Sequence, residues 1–383
     1  MGKCKLAARL ICTILAASIL PCQALAISTS ASSAALIEQK SGRVLCQQNA
    51  DDERLIASIT KIMTAVVALE HGDKNQTYTV TAQDMAEGSS MYLKPGDELR
   101  LEELLYGLML VSGNDAALAV AHCVSGEVEE FVSLMNETAR ELGLSHTHFA
   151  NPNGLDAEGH YSSARDMSVL AAHALENEDF RRIVSTASVT IGDRYLANHN
   201  KLLRMYEGCI GVKTGFTKAA GRTLVSAAAR DGMTLVCTTL NDGDDWNDHM
   251  ALFDYGFANY RMETAVPAGR VVASVLVREG TVLTVPLAAS EDLSYPLTGD
   301  ETLKVVARVP LSIDAPVVPG QVVGEVCAYL GDEEVAKVDL AAAAPSAKKE
   351  NIPAPNSWWQ GLTIWKSAFF TAANSSDVTV TCY

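Results

Sequence analysis

The chain has 383 residues, 48% of them hydrophobic and 20% charged, which allows a large core and argues against disorder. Its formal net charge is −16, with no basic stripe or Arg-rich arm, so nucleic acid is not an expected partner. Its nine cysteines are scattered and form no CxxC pair, so neither a disulfide scaffold nor a structural zinc is expected.

The chain opens with Lys3, Lys5 and Arg9, continues through the apolar LICTILAASIL, and reaches the small-residue site Ala24-Leu25-Ala26. That is the pattern of an export signal over residues 1–26, and its removal leaves Cys46, Cys123, Cys209, Cys237, Cys327 and Cys382. After the polar spacer 27–33, AALIEQKSGRVLCQQNAD predicts a hairpin turning at Ser41-Gly42. In 57–70, ASITKIMTAVVALE, the residues Ile59, Ile62, Met63, Val66 and Val67 follow helical spacing, and Gly72 closes the helix. A helix over 101–111 breaks at Ser112-Gly113-Asn114, and DAALAVAHCV and EVEEFVSLMNETAREL predict two more. Residues 145–163 are loop, and 164–184 predict one continuous helix. Three strands follow, GCIGVKTGF, RTLVSAAAR and MTLVCTTL, the last two joined at Asp231-Gly232, and then a helix in NDHMALFDYGFANYR. This order predicts an α+β domain over 27–263, an antiparallel sheet with helices packed on its faces.

From residue 264 strand-like runs alternate with Gly, Pro and Asp turns, which predicts a small all-β domain over 264–341. Residues 342–356 form a Pro-containing linker. In 357–383 the residues Trp358, Leu362, Trp365 and Phe369 fall at i, i+4, i+7 and i+11. No 18-residue apolar span occurs there, so the tail is expected to lie in the membrane interface as an amphipathic helix.

Three short stretches can carry chemistry. Ser58 and Lys61 share one helix face, and a lysine in a water-poor pocket near other cations loses its proton readily enough to activate a hydroxyl. Ser112 and Asn114 sit at a helix break, where a second hydroxyl can relay a proton and an amide can bind a peptide. Lys213, Thr214 and Gly215 lie in a strand, where the cation and hydroxyl can bind a carboxylate and the glycine admits a close backbone. If that strand is a sheet edge, its free amides can pair with an extended substrate. His146, His148 and His160, and the acidic run 241–248, have the residue types of a metal site; a structural loop and a solvated helix cap are the expected readings.

S-x-x-K near the mature start, S-x-N between helices and K-T-G on a late strand occur in this order in penicillin-binding proteins and class A β-lactamases. With its middle Gly113, its 148–167 loop and its β-rich region and tail, the chain resembles the serine-type D-alanyl-D-alanine carboxypeptidases, the low-molecular-mass penicillin-binding proteins of peptidase family S11. The resemblance implies a β-lactamase/transpeptidase-like catalytic domain needing no cofactor. It implies Ser58 as nucleophile, Lys61 as proton acceptor and Ser112 as relay to the departing D-alanine. Asn114, Lys213, Thr214, Gly215 and Phe216 would bind substrate, with the N–H groups of Ser58 and Phe216 as oxyanion hole. The implied partners are the peptidoglycan stem peptide, β-lactam antibiotics and, through the tail, the outer face of the bacterial cytoplasmic membrane. Lys213, Lys218 and Arg222 would supply local positive charge for a carboxylate. Phe216 stands where some relatives carry His. A class A β-lactamase would need an E-x-x-L-N-like loop, which 145–175 lacks. A transpeptidase or endopeptidase differs only in acceptor or scissile bond, and a non-catalytic wall-binding protein would bind β-lactams reversibly.

Overall fold

The computed structural model describes residues 29–349 and 378–382. The export signal and the four residues Trp358, Leu362, Trp365 and Phe369 lie outside them.

The chain begins with β1 (Ser33–Glu38) and β2 (Val44–Gln48). The turn between them is closed by Glu38, whose Oε2 accepts from the Ser41 N–H at 2.8 Å and hydroxyl at 2.7 Å. A single 3₁₀ turn, Ala57–Thr60, leads into α1 (Lys61–His71). The short pair β3 (Thr77–Thr79) and β4 (Glu98–Arg100) precedes α2 (Leu101–Leu110), α3 (Asn114–Ser125), α4 (Val128–Glu141), α5 (Ala164–Ala174) and α6 (Glu178–Ser185). A hairpin of β5 (Ser188–Ile191) and β6 (Arg194–Ala197) and the one-turn α7 (Leu202–Met205) come next. Then follow β7 (Cys209–Thr217), β8 (Gly221–Arg230), β9 (Met233–Leu240) and α8 (Asp245–Asn259).

The five-stranded sheet has the order β2-β1-β9-β8-β7 and is antiparallel throughout, with β7 at an edge. Period-two alternation divides its side chains between two cores. Ala35 and Ile37 of β1 and Val236 of β9 join the larger one, under the helices α1 to α6. Leu36, Leu235 and Cys237 face the other way, onto Leu252 and Phe253 of α8. The helix α1 is buried along Lys61–Ala68 and runs through the middle of the larger core. The α+β class expected from the sequence is therefore the observed one.

Two local expectations needed correction. The helix expected over 164–184 is two helices, because the Asn177 side chain accepts from the N–H groups of Asp179 and Phe180 and starts a new one. The β5–β6 hairpin was not anticipated. Its strands SVTI and RYLA bury only Ile191 and Leu196, too few apolar positions to show a period.

Beyond α8 the elements among the described residues are all strands: β10 (Arg261–Val266), β11 (Val271–Arg278), β12 (Thr284–Ala289), β13 (Leu293–Leu297), β14 (Leu303–Val309), β15 (Ser312–Asp314), β16 (Val322–Leu330), β17 (Glu333–Ala342) and β18 (Val378–Cys382). Seven of them form the sheet β15-β11-β12-β17-β16-β14-β18, while β10 pairs with β13. They enclose a separate core of Val275, Val285, Leu287, Val326 and Leu340. Strand β18 falls in the tail 357–383, beyond the Trp-rich run expected as an amphipathic helix, and pairs in parallel with β14. The two regions meet at Arg43, whose guanidinium bonds Glu301 at 2.6 Å and 2.9 Å and lies 5.2 Å from the ring centres of Tyr260 and Tyr295.

Candidate active site

The 3₁₀ turn at Ala57–Thr60 sets the first part of the site. Its i and i+3 positions eclipse, so Lys61 stands over Ser58, where an α-helical spacing had been expected. Lys61 Nζ lies 3.0 Å from Ser58 Oγ, 2.8 Å from Asn114 Oδ1 and 2.5 Å from the carbonyl oxygen of Asn153. The lysine is fully buried. Burial, reinforced by the nearby Lys213, drives its pKa far below the ordinary lysine value, with Asp115 opposing. A neutral amine has two N–H bonds and one lone pair. Two carbonyl oxygens take the N–H bonds, which leaves the lone pair for the Ser58 proton.

The turn is held under strain. Ala57 has φ +49° and Ser112 has φ +62°, a left-handed region that costs non-glycine residues roughly 1–3 kcal/mol. Thr60 Oγ1 donates to the Ala57 carbonyl at 2.8 Å and so accepts from His160 Nε2, also at 2.8 Å. His160 Nδ1 in turn accepts from the Ala150 N–H at 3.1 Å. Both ring nitrogens are used by a neutral imidazole, in keeping with a pKa lowered by burial to about 4. His148 Nδ1 bonds the Gly159 carbonyl at 2.6 Å, and His146 lies 3.7 Å from Glu53. The three histidines thus have separate protein partners.

Strand β7 forms the opposite wall. Gly215 had been expected to admit a substrate backbone, but the protein itself fills that space. A Cβ there would lie 2.4 Å from Thr223 Oγ1 and 3.0 Å from the Ser58 nitrogen. The glycine lets the edge strand press directly on the nucleophile's turn.

Ser58, Ser112, Thr214, Gly215 and Phe216 line one open cavity of about 580 Å³. Phe216 stands at its rim, 65% exposed. Lys61, Asn114 and Lys213 lie behind the wall and are buried. Both ends of the Asn114 amide have a protein partner: its Nδ2 donates to the Glu87 carbonyl at 2.6 Å while Oδ1 accepts from Lys61. Lys213 Nζ donates to the Thr214 carbonyl at 2.8 Å, and burial lowers its pKa to about 7. Thr214, half-buried, lines the cavity in front of it. Arg222 is less free than expected, because Asp245 holds its guanidinium at 2.7 Å. Asp242 and Asp245 of the acidic run are themselves buried, where a solvated cap had been expected.

The sequence motifs assign no role to Asn153, Thr60, Asp115 or His199, and place His160 only in a structural loop. Asp115 is buried and anchors the loop before β4, accepting from the N–H groups of Met91 and Leu93 at 3.0 Å and the Ser90 hydroxyl at 2.6 Å. His199 lines the cavity, with its pKa lowered by burial and by Lys213. Asn153 and His160 fall in the 148–167 loop, the one signal that pointed to them.

Residues 21–244 match the family model described as D-alanyl-D-alanine carboxypeptidase. The chain belongs to that family. It is a serine-type hydrolase of the D-alanyl-D-alanine carboxypeptidase class. Residues 260–346 match the model for the penicillin-binding protein 5 C-terminal domain. The chain is 34% identical to the D-alanyl-D-alanine carboxypeptidase DacF of Bacillus subtilis over 334 residues, covering 82% of this chain and 86% of that protein. Among solved structures, penicillin-binding protein 5 of Haemophilus influenzae is similar, with TM-score 0.70 and 28% identity over 84% of this chain and 98% of that one. A Streptomyces K15 DD-transpeptidase mutant is similar at TM-score 0.58 and 35% identity, over 60% of this chain and 99% of its own.

Proposed function

We propose that Ser58 is the nucleophile of a D-alanyl-D-alanine carboxypeptidase that trims the terminal D-alanine from peptidoglycan stem peptides through an acyl-enzyme. The observation that carries the reading is the buried Lys61 amine, 3.0 Å from the Ser58 hydroxyl with its other valences occupied by Asn114 and Asn153. Ser58 attacks the carbonyl between the two D-alanines, and Lys61 takes its proton. Ser112, across the same cavity, passes a proton to the departing amine. The carboxylate of the departing residue meets the Thr214 hydroxyl, with the Lys213 charge behind it. The N–H groups of Ser58 and Phe216 are the candidate donors to the oxyanion, and the close approach of β7 to Ser58 supports the pairing. Water then releases the shortened peptide. A penicillin, whose strained amide presents a carbonyl beside a carboxylate, acylates the same serine.

The substrate lies outside the cytoplasm, which fits the signal-like residues 1–26 and the catalytic and β-rich divisions at 27–263 and 264–341. Among the described residues no helix is long and apolar enough to cross a membrane. Peripheral attachment through the Trp-rich part of 357–383 is part of the proposal and rests on sequence. The test is to incubate the mature protein with a labelled penicillin, locate the adduct by mass spectrometry, and follow D-alanine release from a diacyl-D-Ala-D-Ala peptide. An adduct at Ser58 together with D-alanine release is expected. Rapid drug turnover without peptide cleavage, or reversible drug binding alone, overturns the reading.

A further inference from the structure

The acidic run after β9 folds back onto the start of the chain. Asp242 Oδ1 accepts from the Ser30 hydroxyl at 2.6 Å and from the Asp244 N–H at 3.0 Å. Asp248 Oδ2 accepts from the Ser30 N–H at 2.7 Å and lies 2.9 Å from the Ser30 hydroxyl oxygen. A hydroxyl has one proton, so Ser30 cannot donate to both carboxylates through it. Asp242 is 1% exposed, and its second oxygen, Oδ2, is buried with no hydrogen-bond partner among the described residues. Native proteins rarely leave such an oxygen bare, because burying a carboxylate without a partner is costly. Among the described residues no lysine, arginine or histidine pairs with Asp242 or Asp248: Arg222, the arginine that reaches this run, is held by Asp245. The surplus negative charge is felt nearby. Burial and then Asp242 push the Asp248 carboxyl above its ordinary value, against the pull of Ser30, and burial, Asp242 and Asp248 push the Cys237 thiol up.

We propose that the Asp242–Asp248 pair binds the α-ammonium of the processed chain at Ile27, so that removing the signal supplies the cation that completes this corner of the fold. The inference rests on the reading of residues 1–26 as an export signal cleaved after Ala26. Cleavage there turns the Ile27 nitrogen from a neutral amide with one N–H into an ammonium with three. Three residues span at most about 10 Å, and Ser30 already touches both carboxylates, so the amine is held close to them by the chain itself. The ammonium donates to the Asp242 oxygen that lacks a partner and to Asp248 Oδ2, where the second Ser30 proton is missing. Two carboxylates and one hydroxyl converge here among the described residues, fewer oxygens than the six to eight that calcium takes, which favours the ammonium over a metal ion. The pair backs the reaction cavity without entering it. The Asp242 N–H donates to the Arg222 carbonyl at 3.0 Å, and the same run presents Asp245 and Trp246 to the cavity.

The test compares the chain beginning at Ile27 with one carrying Gly-Ser before Ile27. Each is made as the parent, with Asp242→Asn, and with Asp242→Asn and Asp248→Asn together. Stability is measured by chemical denaturation across pH 6–10, the α-amine is titrated by NMR of its ¹³C-methylated form, and circular dichroism checks the native fold. The Ile27 amine is expected to titrate about one unit or more above its ordinary value of about 7.7–8.0. At pH 7 the extension should lower the folding equilibrium constant of the parent about tenfold, that of Asp242→Asn about threefold, and that of the double variant not at all. A folded amine with a raised pKa stabilises fully below the ordinary value, so the parent's advantage over its extended form should vanish as pH rises through the folded one. An amine that titrates at its ordinary value, an extension that costs nothing, or a loss undiminished without the two carboxylates overturns the proposal. So does an Asp242-dependent gain in stability from calcium chloride or from acid while the amine stays ordinary, which makes the occupant a metal ion or a proton. An exported chain whose first residue is not Ile27 overturns the signal reading, and this one with it.

Discussion

The reaction cavity and the β-rich region handle charge in opposite ways. In the β-rich region the ion pairs are exposed or nearly so: Arg278 meets Asp314 at 2.7 Å and Arg308 meets Glu325 at 2.9 Å, on the solvent side of strands whose alternate residues form the core. Pairs of that kind contribute little because solvent screens them, and the fold there is held by its regular apolar alternation. Around Ser58 two lysines are buried with no salt-bridged carboxylate among the described residues, and Ala57 and Ser112 sit in strained backbone. Such burial costs several kcal/mol for a charged ammonium, so Lys61, buried and also facing Lys213, is driven toward the neutral amine. The stability given up there is what produces a base.

The largest expected effect comes from removing that base. Lys61→Met keeps much of the side-chain volume and takes away the lone pair. Acylation of Ser58 by penicillin and D-alanine release should both fall about 10²–10⁴-fold. In the parent, the acylation rate should rise with pH on its acid side and level off well below 10.5, because the folded pKa of Lys61 is lowered and its neutral form is the reactive one. A rate that climbs only near 10.5, or a Lys61→Met variant that acylates normally, would remove the lysine from this role.

A smaller but still large effect is expected at Gly215. Gly215→Ala must push its methyl against Thr223 Oγ1 and the Ser58 nitrogen, a contact without a flexible neighbour on the backbone side. Overpacking of this kind costs about 1–3 kcal/mol. Because the displaced atom belongs to the nucleophile's own turn, acylation should fall by more than the loss of stability explains. Normal acylation in a destabilised Gly215→Ala would show that β7 and the turn move independently.

Legibility in the sequence followed the same division. Long apolar periods gave α1 to α4 and β7 to β9, and the three motifs gave Ser58, Lys61, Ser112 and Asn114 in mutual contact range or around one cavity. What stayed hidden depends on the third dimension. The Asn153 carbonyl can act on Lys61 only because the 148–167 loop folds under α1, and a backbone oxygen leaves no residue-type signal. The 3₁₀ turn at Ala57–Thr60 was read as α-helix because both periods place Ser58 and Lys61 together. The break at Asn177 was masked by apolar spacing that continues across it. Strand β18 was masked by the Trp-rich residues before it, which carry the stronger pattern.

The mildest prediction separates the two kinds of charge by pH. Glu301, held by Arg43, has its pKa lowered to about 2, so the folded chain releases that proton more readily than the unfolded one. Its contribution is complete above the ordinary glutamate value of 4.5 and is lost as pH falls toward about 2. Lys213, lowered to about 7 by burial alone, has the same sign in a different window: stability grows as pH rises from about 7 toward 10.5, where only the unfolded chain still holds the proton. Glu301→Gln should therefore lower stability at pH 7 by about 1 kcal/mol or less, since the pair is partly solvated. It should also flatten the acid limb of the stability profile and leave both the alkaline rise and Ser58 acylation as they were. The measurement is chemical denaturation of parent and variant across pH 2–10. An alkaline rise that disappears with Glu301 would mean that the junction at Arg43 and the buried lysines are energetically one system rather than two.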